Sequence, residues 1–257
     1  MKKIFAFVFP LLFLCNLSAL RAQDSPAQAQ LAQAQSAQAQ LAQESKPAET
    51  PTDKPAAETK AAADKDGWKP LLEEKSLDGW EPTNFGGEGK VSIANHQLTL
   101  ETGDPLTGIT YKRVFPTSNF EIELEAQRAD GSDFLCGLTF PVGDKHASFI
   151  AGGWGGGVLG ISSVDGFDAS ENSTTQFMDF KNKQWYRFKV RVDDKMILAF
   201  IDDKKVVELE REGHEFSVRG EVLASRPLGY CAFQSKVMVR NFKWRPITDA
   251  AAPKTDK

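Results

Sequence analysis

Three side chains suited to acid–base chemistry fall between residues 130 and 175. Asp133, His146 and Glu171 can each accept or donate a proton, and the pKa of histidine suits proton transfer near neutral pH. We predict these three residues as catalytic candidates. The alternative for His146 is a solvated histidine that follows the turn at 143–145.

The same stretch carries oxygen atoms that suit a hard cation. Asp165 and Asp168 lie in one loop beside Glu171. Carboxylate oxygens at close spacing are typical ligands of Ca²⁺. We predict Asp165 and Asp168 as candidate ligands of calcium or another divalent metal. Their spacing matches no EF-hand, and the alternative is a loop of Asx-turns and exposed charge.

Trp154 stands inside a tract of five glycines, residues 152–157. An indole face can stack on the apolar face of a pyranose. We predict Trp154, with the polar side chains of Asn172 and Thr174, as saccharide contacts. A glycine tract indicates a sharp bend or a close approach. It can therefore form the floor of a ligand site or a tight passage between two sheets, with Trp154 in the core. No Lys-Ser/Thr pair follows the tract, which excludes a P-loop.

Alternating apolar and polar residues dominate residues 67–247. In NFEIELEAQ the apolar Phe120, Ile122 and Leu124 alternate with glutamates, which is typical of a strand with one buried face. We interpret those glutamates as the solvated face rather than as a glycosidase carboxylate pair. The run WYRFKVRVDDKMILAFIDDKKVVELE predicts a meander of three antiparallel strands. More than ten such runs, without a helical stripe, predict an all-β, two-sheet antiparallel jelly-roll sandwich.

The remainder of the chain predicts export. Residues 1–22 combine two lysines, an apolar run and small residues, which is typical of a secretory signal. We interpret residues 23–66, rich in Ala, Gln and Pro, as a low-complexity linker, and residues 248–257 as a disordered tail. No other run is apolar and long enough to cross a membrane. We predict a secreted or periplasmic protein whose folded domain spans residues 67–247.

The net charge of the chain bears on its binding partners. A net charge of -4 argues against nucleic acid, whose binding depends on clustered Lys and Arg.

Cys136 and Cys231 remain after removal of the signal. Export permits a disulfide between them, and two buried free thiols are the alternative.

Both ends of the folded region resemble the bacterial 3-keto-disaccharide hydrolase domain. The opening GWKPLLEEKSLDGW departs from the family's LF-x-G pattern at residues 71–74 but matches it at Lys75, Leu77, Gly79 and Trp80. The ending LGYCAFQSKVMVRNFKWRPI resembles the family's last strands. The middle is similar to the strand-turn-strand units of concanavalin A-like and laminin-G-like sandwiches. Together these similarities cover nearly all of residues 67–247.

The resemblance implies a concanavalin A-like jelly roll and the cleavage of glycosides already oxidised to a ketone at C3. The implied chemistry is an elimination, in which a base removes the C2 proton and an acid protonates the departing oxygen. A saccharide is thus the expected partner. A non-catalytic carbohydrate-binding or adhesion module of the cell envelope is the alternative function, and a structural envelope protein is a third.

Overall fold

The computed structural model describes residues 66–247. The predicted signal and tail lie outside these residues, as does the predicted linker apart from Asp66. Fifteen strands occur in the described region: β1 (Lys69–Pro70), β2 (Trp80–Pro82), β3 (Val91–Ala94), β4 (Gln97–Leu100), β5 (Leu106–Tyr111), β6 (Phe120–Gly131), β7 (Cys136–Val142), β8 (Lys145–Gly153), β9 (Val158–Ser162), β10 (Gln176–Phe177), β11 (Tyr186–Val192), β12 (Met196–Ile201), β13 (Lys204–Glu210), β14 (Gly229–Phe233) and β15 (Ser235–Pro246). One 3-10 helix, Gly220–Ser225, precedes β14, and no described helix has the length and apolarity needed to span a membrane.

The strands form two antiparallel sheets. The eight-stranded sheet has the order β13-β12-β11-β6-β15-β4-β3, with β1 paired to β15. The seven-stranded sheet has the order β10-β9-β8-β7-β14-β5-β2. The prediction of an all-β, two-sheet antiparallel sandwich is confirmed. The predicted meander is β11-β12-β13, in which each strand pairs with the next.

The hydrophobic core lies between the sheets. Alternation along β6 places Phe120, Ile122 and Leu124 in this core with no measurable exposure. Phe149 on β8 meets Phe188 on β11 with ring centroids 6.4 Å apart, so side chains of the two sheets are in direct contact. Each such buried side chain contributes roughly 1.5–3 kcal/mol to stability.

The glutamates of β6 form a row of cross-strand ion pairs. Glu121 pairs with Arg245 at 2.6 Å, Glu123 with a lysine of β15 at 3.2 Å, and Glu125 with Arg240 at 2.7 Å. The side chain of Glu121 is only 8% exposed, so this end of the row is less solvated than the alternation indicates. The row links β6 to β15 and is not an acid–base pair.

Cys136 and Cys231 are free, buried thiols. Cys136 belongs to the core between the sheets, whereas Cys231 packs with Leu106 and Val222 on the outer face of the seven-stranded sheet. Successive strand residues point to opposite faces, and Cys231 pairs with Gly137, the neighbour of Cys136. The two thiols therefore lie on opposite sides of one sheet. Burial raises the pKa of Cys136 and raises that of Cys231 to about 12.

The outer face of the seven-stranded sheet is partly covered by the segment between β13 and β14. This segment contains the 3-10 helix, which the sequence did not predict. Val222 of the helix packs on Leu106, and the hydroxyl of Thr110 donates to the carbonyl of Ala224 at 2.8 Å. The contacts leave a cavity between the helix, the sheet and the β8–β9 turn.

Candidate functional site

The glycine tract forms the turn between β8 and β9. Trp154, Gly155 and Gly156 have φ values of 50°, 87° and 110°, a region that glycine tolerates best. A Cβ on Gly156 would lie 2.6 Å from the carbonyl oxygen of Ser132, whereas one on Gly155 would meet no atom within 4 Å. The tract is thus a sharp hairpin turn packed against Ser132. Trp154 at its tip is 45% exposed and is not a core residue.

Asp133 fixes the hairpin turn in place. Its Oδ2 accepts the backbone N–H of Gly155 at 2.9 Å, and its Oδ1 accepts that of Phe134 at 2.7 Å. Hydrogen bonds to a carboxylate are stronger than those between neutral groups. Asp133 therefore joins the segment before β7 to the turn that carries Trp154.

A cavity of about 260 Å³ lies between this turn and the 3-10 helix. Its surface is mostly apolar, with polar groups near the turn and the helix. The lining residues are Leu106, Asp133, Phe134, Ser148, Ile150, Trp154, Ser162, Arg219, Glu221, Val222 and Phe233. A concave apolar surface with a few convergent polar groups is the usual form of a small-ligand site.

Arg219 organises the polar side of the cavity. Its guanidinium donates to the carboxylates of Asp168 and Glu221 and lies 5.9 Å from the ring centroid of Trp154. Burial opposes the charge on Arg219, but Glu221 and Asp168 outweigh burial and raise the pKa of the guanidinium. We call Asp133, Asp168, Glu221 and Arg219 the polar rim. Asp168 and Glu221 contact this guanidinium, whereas Asp133 accepts backbone N–H bonds. With three carboxylates and one guanidinium, the rim is acidic.

Of the predicted catalytic residues, only Asp133 lines this cavity. β8 begins at Lys145, so His146 lies within this strand. It is two positions before Ser148, which lines the cavity, and the two side chains therefore lie on the same outer face. Its half-burial, and then the charge of Arg226, lower the pKa of the imidazole. Glu171 is exposed in the loop after β9, where its backbone N–H donates to the carbonyl of Asp168 at 2.9 Å. The structure does not bring the three side chains together at the cavity.

Asn172 and Thr174 hold their own loop together. The Asn172 amide donates to the carbonyls of Ile161 and Asp168, both at 2.8 Å. Thr174 Oγ1 donates to Asn172 Oδ1 at 2.6 Å and accepts the backbone N–H of Ile161 at 2.8 Å. Trp154 lines the cavity, whereas the side chains of these two predicted saccharide contacts bond within the loop after β9 and to β9 itself.

Asp165 and Asp168 have separate partners. Asp165 accepts the backbone N–H of Glu215 and contacts His214 Nδ1 at 2.6 Å, and these two hydrogen bonds lower the pKa of Asp165. Asp168 accepts from Arg219 instead. Among the described residues no group of three or more His, Cys, Asp or Glu side chains is placed to hold a metal ion. Each carboxylate therefore already has cationic or N–H partners of its own, and a divalent metal at Asp165 and Asp168 stays a prediction.

Sequence reasoning missed several residues of the cavity. Arg219 and Glu221 come from the segment between β13 and β14, at the start of the 3-10 helix and far along the chain from the glycine tract. Phe134 and Phe233 contribute a tilted aromatic pair with centroids 5.7 Å apart. No local pattern identifies Arg219 or Glu221, because the return of the chain across the outer sheet face brings them to the cavity.

The fold defines a class of protein, a jelly-roll-like antiparallel sandwich, which here carries a cavity on an outer sheet face. Within that class the chain belongs to the 3-keto-alpha-glucoside-1,2-lyase-like domain family, whose model matches residues 67–248. The family resemblance predicted from the two ends of the folded region is confirmed, and the domain is carbohydrate-related. No curated protein matches the chain.

Several solved structures are similar to the chain at low identity. A carbohydrate esterase from the Shiga toxin-encoding bacteriophage phi24B is 12% identical, with 71% of this chain and 100% of that chain covered and a TM-score of 0.46. The carbohydrate binding module CBM66 from Bacillus subtilis is 12% identical, with 65% and 95% covered and a TM-score of 0.42. Domain 4 of AbnA, an extracellular arabinanase from Geobacillus stearothermophilus, is 13% identical, with 66% and 84% covered and a TM-score of 0.41.

Proposed function

We propose that this domain binds a saccharide in the cavity beside Trp154 and cleaves 3-keto-glycosides there by elimination. The observation that carries the proposal is the cavity itself, which combines an exposed indole, an apolar wall and the acidic polar rim. Membership of the 3-keto-alpha-glucoside-1,2-lyase-like family supports the class of reaction.

The cavity offers a saccharide both kinds of contact that it needs. The C–H face of a pyranose can pack on the Trp154 indole and on the apolar side chains of Leu106 and Phe233. Its hydroxyl groups can bond to the carboxylate of Glu221 and the guanidinium of Arg219. The apolar surface supplies affinity and the polar rim fixes the orientation of the ring.

The reaction follows from the acidity of a proton next to a ketone. A base removes the proton at C2, the electrons of that bond form the C1=C2 double bond, and the C1–O bond breaks. The departing oxygen takes up a proton, so the products are an unsaturated 3-keto sugar and a free alcohol. Addition of water across the double bond then gives the 3-keto sugar, which completes a net hydrolysis.

We assign Glu221 as the base. Its carboxylate lines the cavity and is exposed, whereas both oxygens of Asp133 already accept backbone N–H bonds. The proton that Glu221 takes from C2 can pass to the departing oxygen. Arg219 can stabilise the negative charge that develops on the C3 oxygen, because a fixed cation beside an apolar wall acts strongly on such a charge. The predicted roles of His146 and Glu171 would require a substrate that extends beyond the cavity.

A non-catalytic carbohydrate-binding module is the second candidate function. The observation that favours it is the pairing of both cavity carboxylates, Asp133 with backbone N–H groups and Glu221 with Arg219. Carboxylates held in this way can serve to shape a binding site without proton transfer.

Incubation of the full chain with a 3-keto-disaccharide separates the two candidates. Glu221→Gln is expected to lower kcat at least about 100-fold, the usual scale for loss of a catalytic base. Glu208→Gln, which removes an exposed carboxylate on β13, serves as the matched control. Turnover by Glu221→Gln at the wild-type rate would remove Glu221 from the mechanism. Saccharide binding without turnover by the wild type would establish the module instead.

A further inference from the structure

A second concave surface lies on the other side of the β8–β9 turn. This groove has a volume of about 620 Å³, within the range of roughly 300–1,000 Å³ that is typical of ligand sites. The residues that matter to the argument are Ser132, Gly155, Gly157, Phe177, Asp179 and Asn182.

The groove and the cavity are separated only by two short pieces of chain within the described region. Ser132 lines the groove and the next residue, Asp133, lines the cavity. Likewise Trp154 lines the cavity and the next residue, Gly155, lines the groove. A chain of sugar units that leaves the cavity across the hairpin tip would therefore enter the groove directly.

The groove has an aromatic surface suited to a second sugar ring. Phe177 lies on the edge strand β10, paired with Val158, and is 79% exposed. Such exposure leaves its ring free to pack against the C–H face of a pyranose. The exposed side chain of Asp179 adds a hydrogen-bonding group to the groove, whereas the Asn182 amide already bonds to Arg128 and to the carbonyl of Gly131.

Glycines keep the path between the two sites open. A Cβ on Gly155 would meet no atom within 4 Å, and one on Gly157 would meet only the carbonyl of Met178 at 3.8 Å. The glycines at these positions are thus not enforced by packing, unlike Gly156. Their lack of side chains leaves the space beside Phe177 free for a ligand.

We propose that the groove is a second saccharide subsite, which holds the neighbouring sugar unit of an oligosaccharide whose first unit lies beside Trp154. The inference rests on the proposed function, because it needs a saccharide in the cavity. It adds that the second sugar unit lies in the groove and that Phe177 selects for it.

Calorimetric titration of the full chain, in a Glu221→Gln background that prevents turnover, tests the subsite. The probes are a methyl 3-keto-glucoside, which fills the cavity alone, and a 3-keto-disaccharide. Phe177→Ala is expected to weaken the disaccharide about three- to tenfold, the scale of one aromatic contact, and to leave the monosaccharide unchanged. Phe177→Tyr is expected to retain disaccharide affinity. Gly157→Leu, which fills the groove, is expected to act as Phe177→Ala does.

The outcomes separate this inference from the proposed function. If Phe177→Ala changes neither affinity, or changes both equally, while Trp154→Ala weakens both probes, the subsite is wrong and the cavity stands. If neither probe binds to the chain with Trp154 in place, both proposals are overturned. Thermal unfolding of each variant identifies any that fails to fold.

Discussion

Alanine at two neighbouring glycines gives a sharp test of how the hairpin turn is built. Gly155 and Gly156 both have positive φ, so an alanine at either position is strained by about 1–3 kcal/mol. At Gly156 the new Cβ would also lie 2.6 Å from the carbonyl oxygen of Ser132, whereas at Gly155 it would meet nothing within 4 Å. The difference between the two variants therefore isolates the contact with Ser132.

The contact at Gly156 adds the cost of overpacking, about 1–3 kcal/mol. We expect Gly155→Ala to lower the free energy of unfolding by about 1–3 kcal/mol and Gly156→Ala by about 2–6 kcal/mol. Urea unfolding of the full chain measures both, and an unchanged m-value shows that the effect is on stability. Because relief of the contact must move the turn, Gly156→Ala should also weaken saccharide binding beside Trp154. Equal destabilisation by the two variants would refute the packed-turn interpretation.

Three further expectations concern charged and titratable side chains. Asp133→Ala removes two hydrogen bonds that its carboxylate accepts from backbone N–H groups. We expect the free energy of unfolding in urea to fall by about 1.5–3 kcal/mol per bond, and the fluorescence spectrum of Trp154 to change. An unchanged spectrum would show that Asp133 does not hold the turn. Because the rim is acidic, a glucuronide is expected to bind several-fold more weakly than the matching glucoside. This difference in affinity should become smaller in high salt and in Glu221→Gln. Equal affinities at low salt would contradict the expectation. The lowered pKa of His146 means that the unfolded chain binds a proton more readily than the folded chain below pH 6.5. The free energy of unfolding should therefore fall as the pH drops from 6.5 through the folded pKa, and His146→Gln should flatten that slope; identical slopes would show that His146 is not the group responsible.

The sheets were predictable because their signal is local. Alternation along β6 and β11 reports burial on one face of each strand directly, and the Asp-rich turns mark where the meander reverses. The 3-10 helix was not predictable in the same way. Its six residues, Gly220–Ser225, have no apolar stripe, and it is held by contacts with β5 that are distant in sequence.

The candidate site likewise contains some residues that the sequence identified and others that it did not. Asp133 was selected by residue type as a proton-transfer group and Trp154 as a stacking surface, and both line the cavity. Arg219 and Glu221 complete the cavity from the start of the 3-10 helix, and in the sequence their charges are like those of an ordinary surface. Asn172 has the residue type of a sugar contact, but its amide satisfies backbone carbonyls of its own loop. Residue type alone does not distinguish a side chain that binds a ligand from one that binds its own backbone.

The central claim is that a 3-keto-glycoside is cleaved by removal of its C2 proton in the cavity beside Trp154. The most direct test compares the full chain's rate on a 3-keto-disaccharide with that on the same substrate carrying deuterium at C2. The proposed elimination predicts slower release of the second sugar from the deuterated substrate, and loss of that release in Glu221→Gln. Release at equal rates from both substrates, or no release from either, would contradict it.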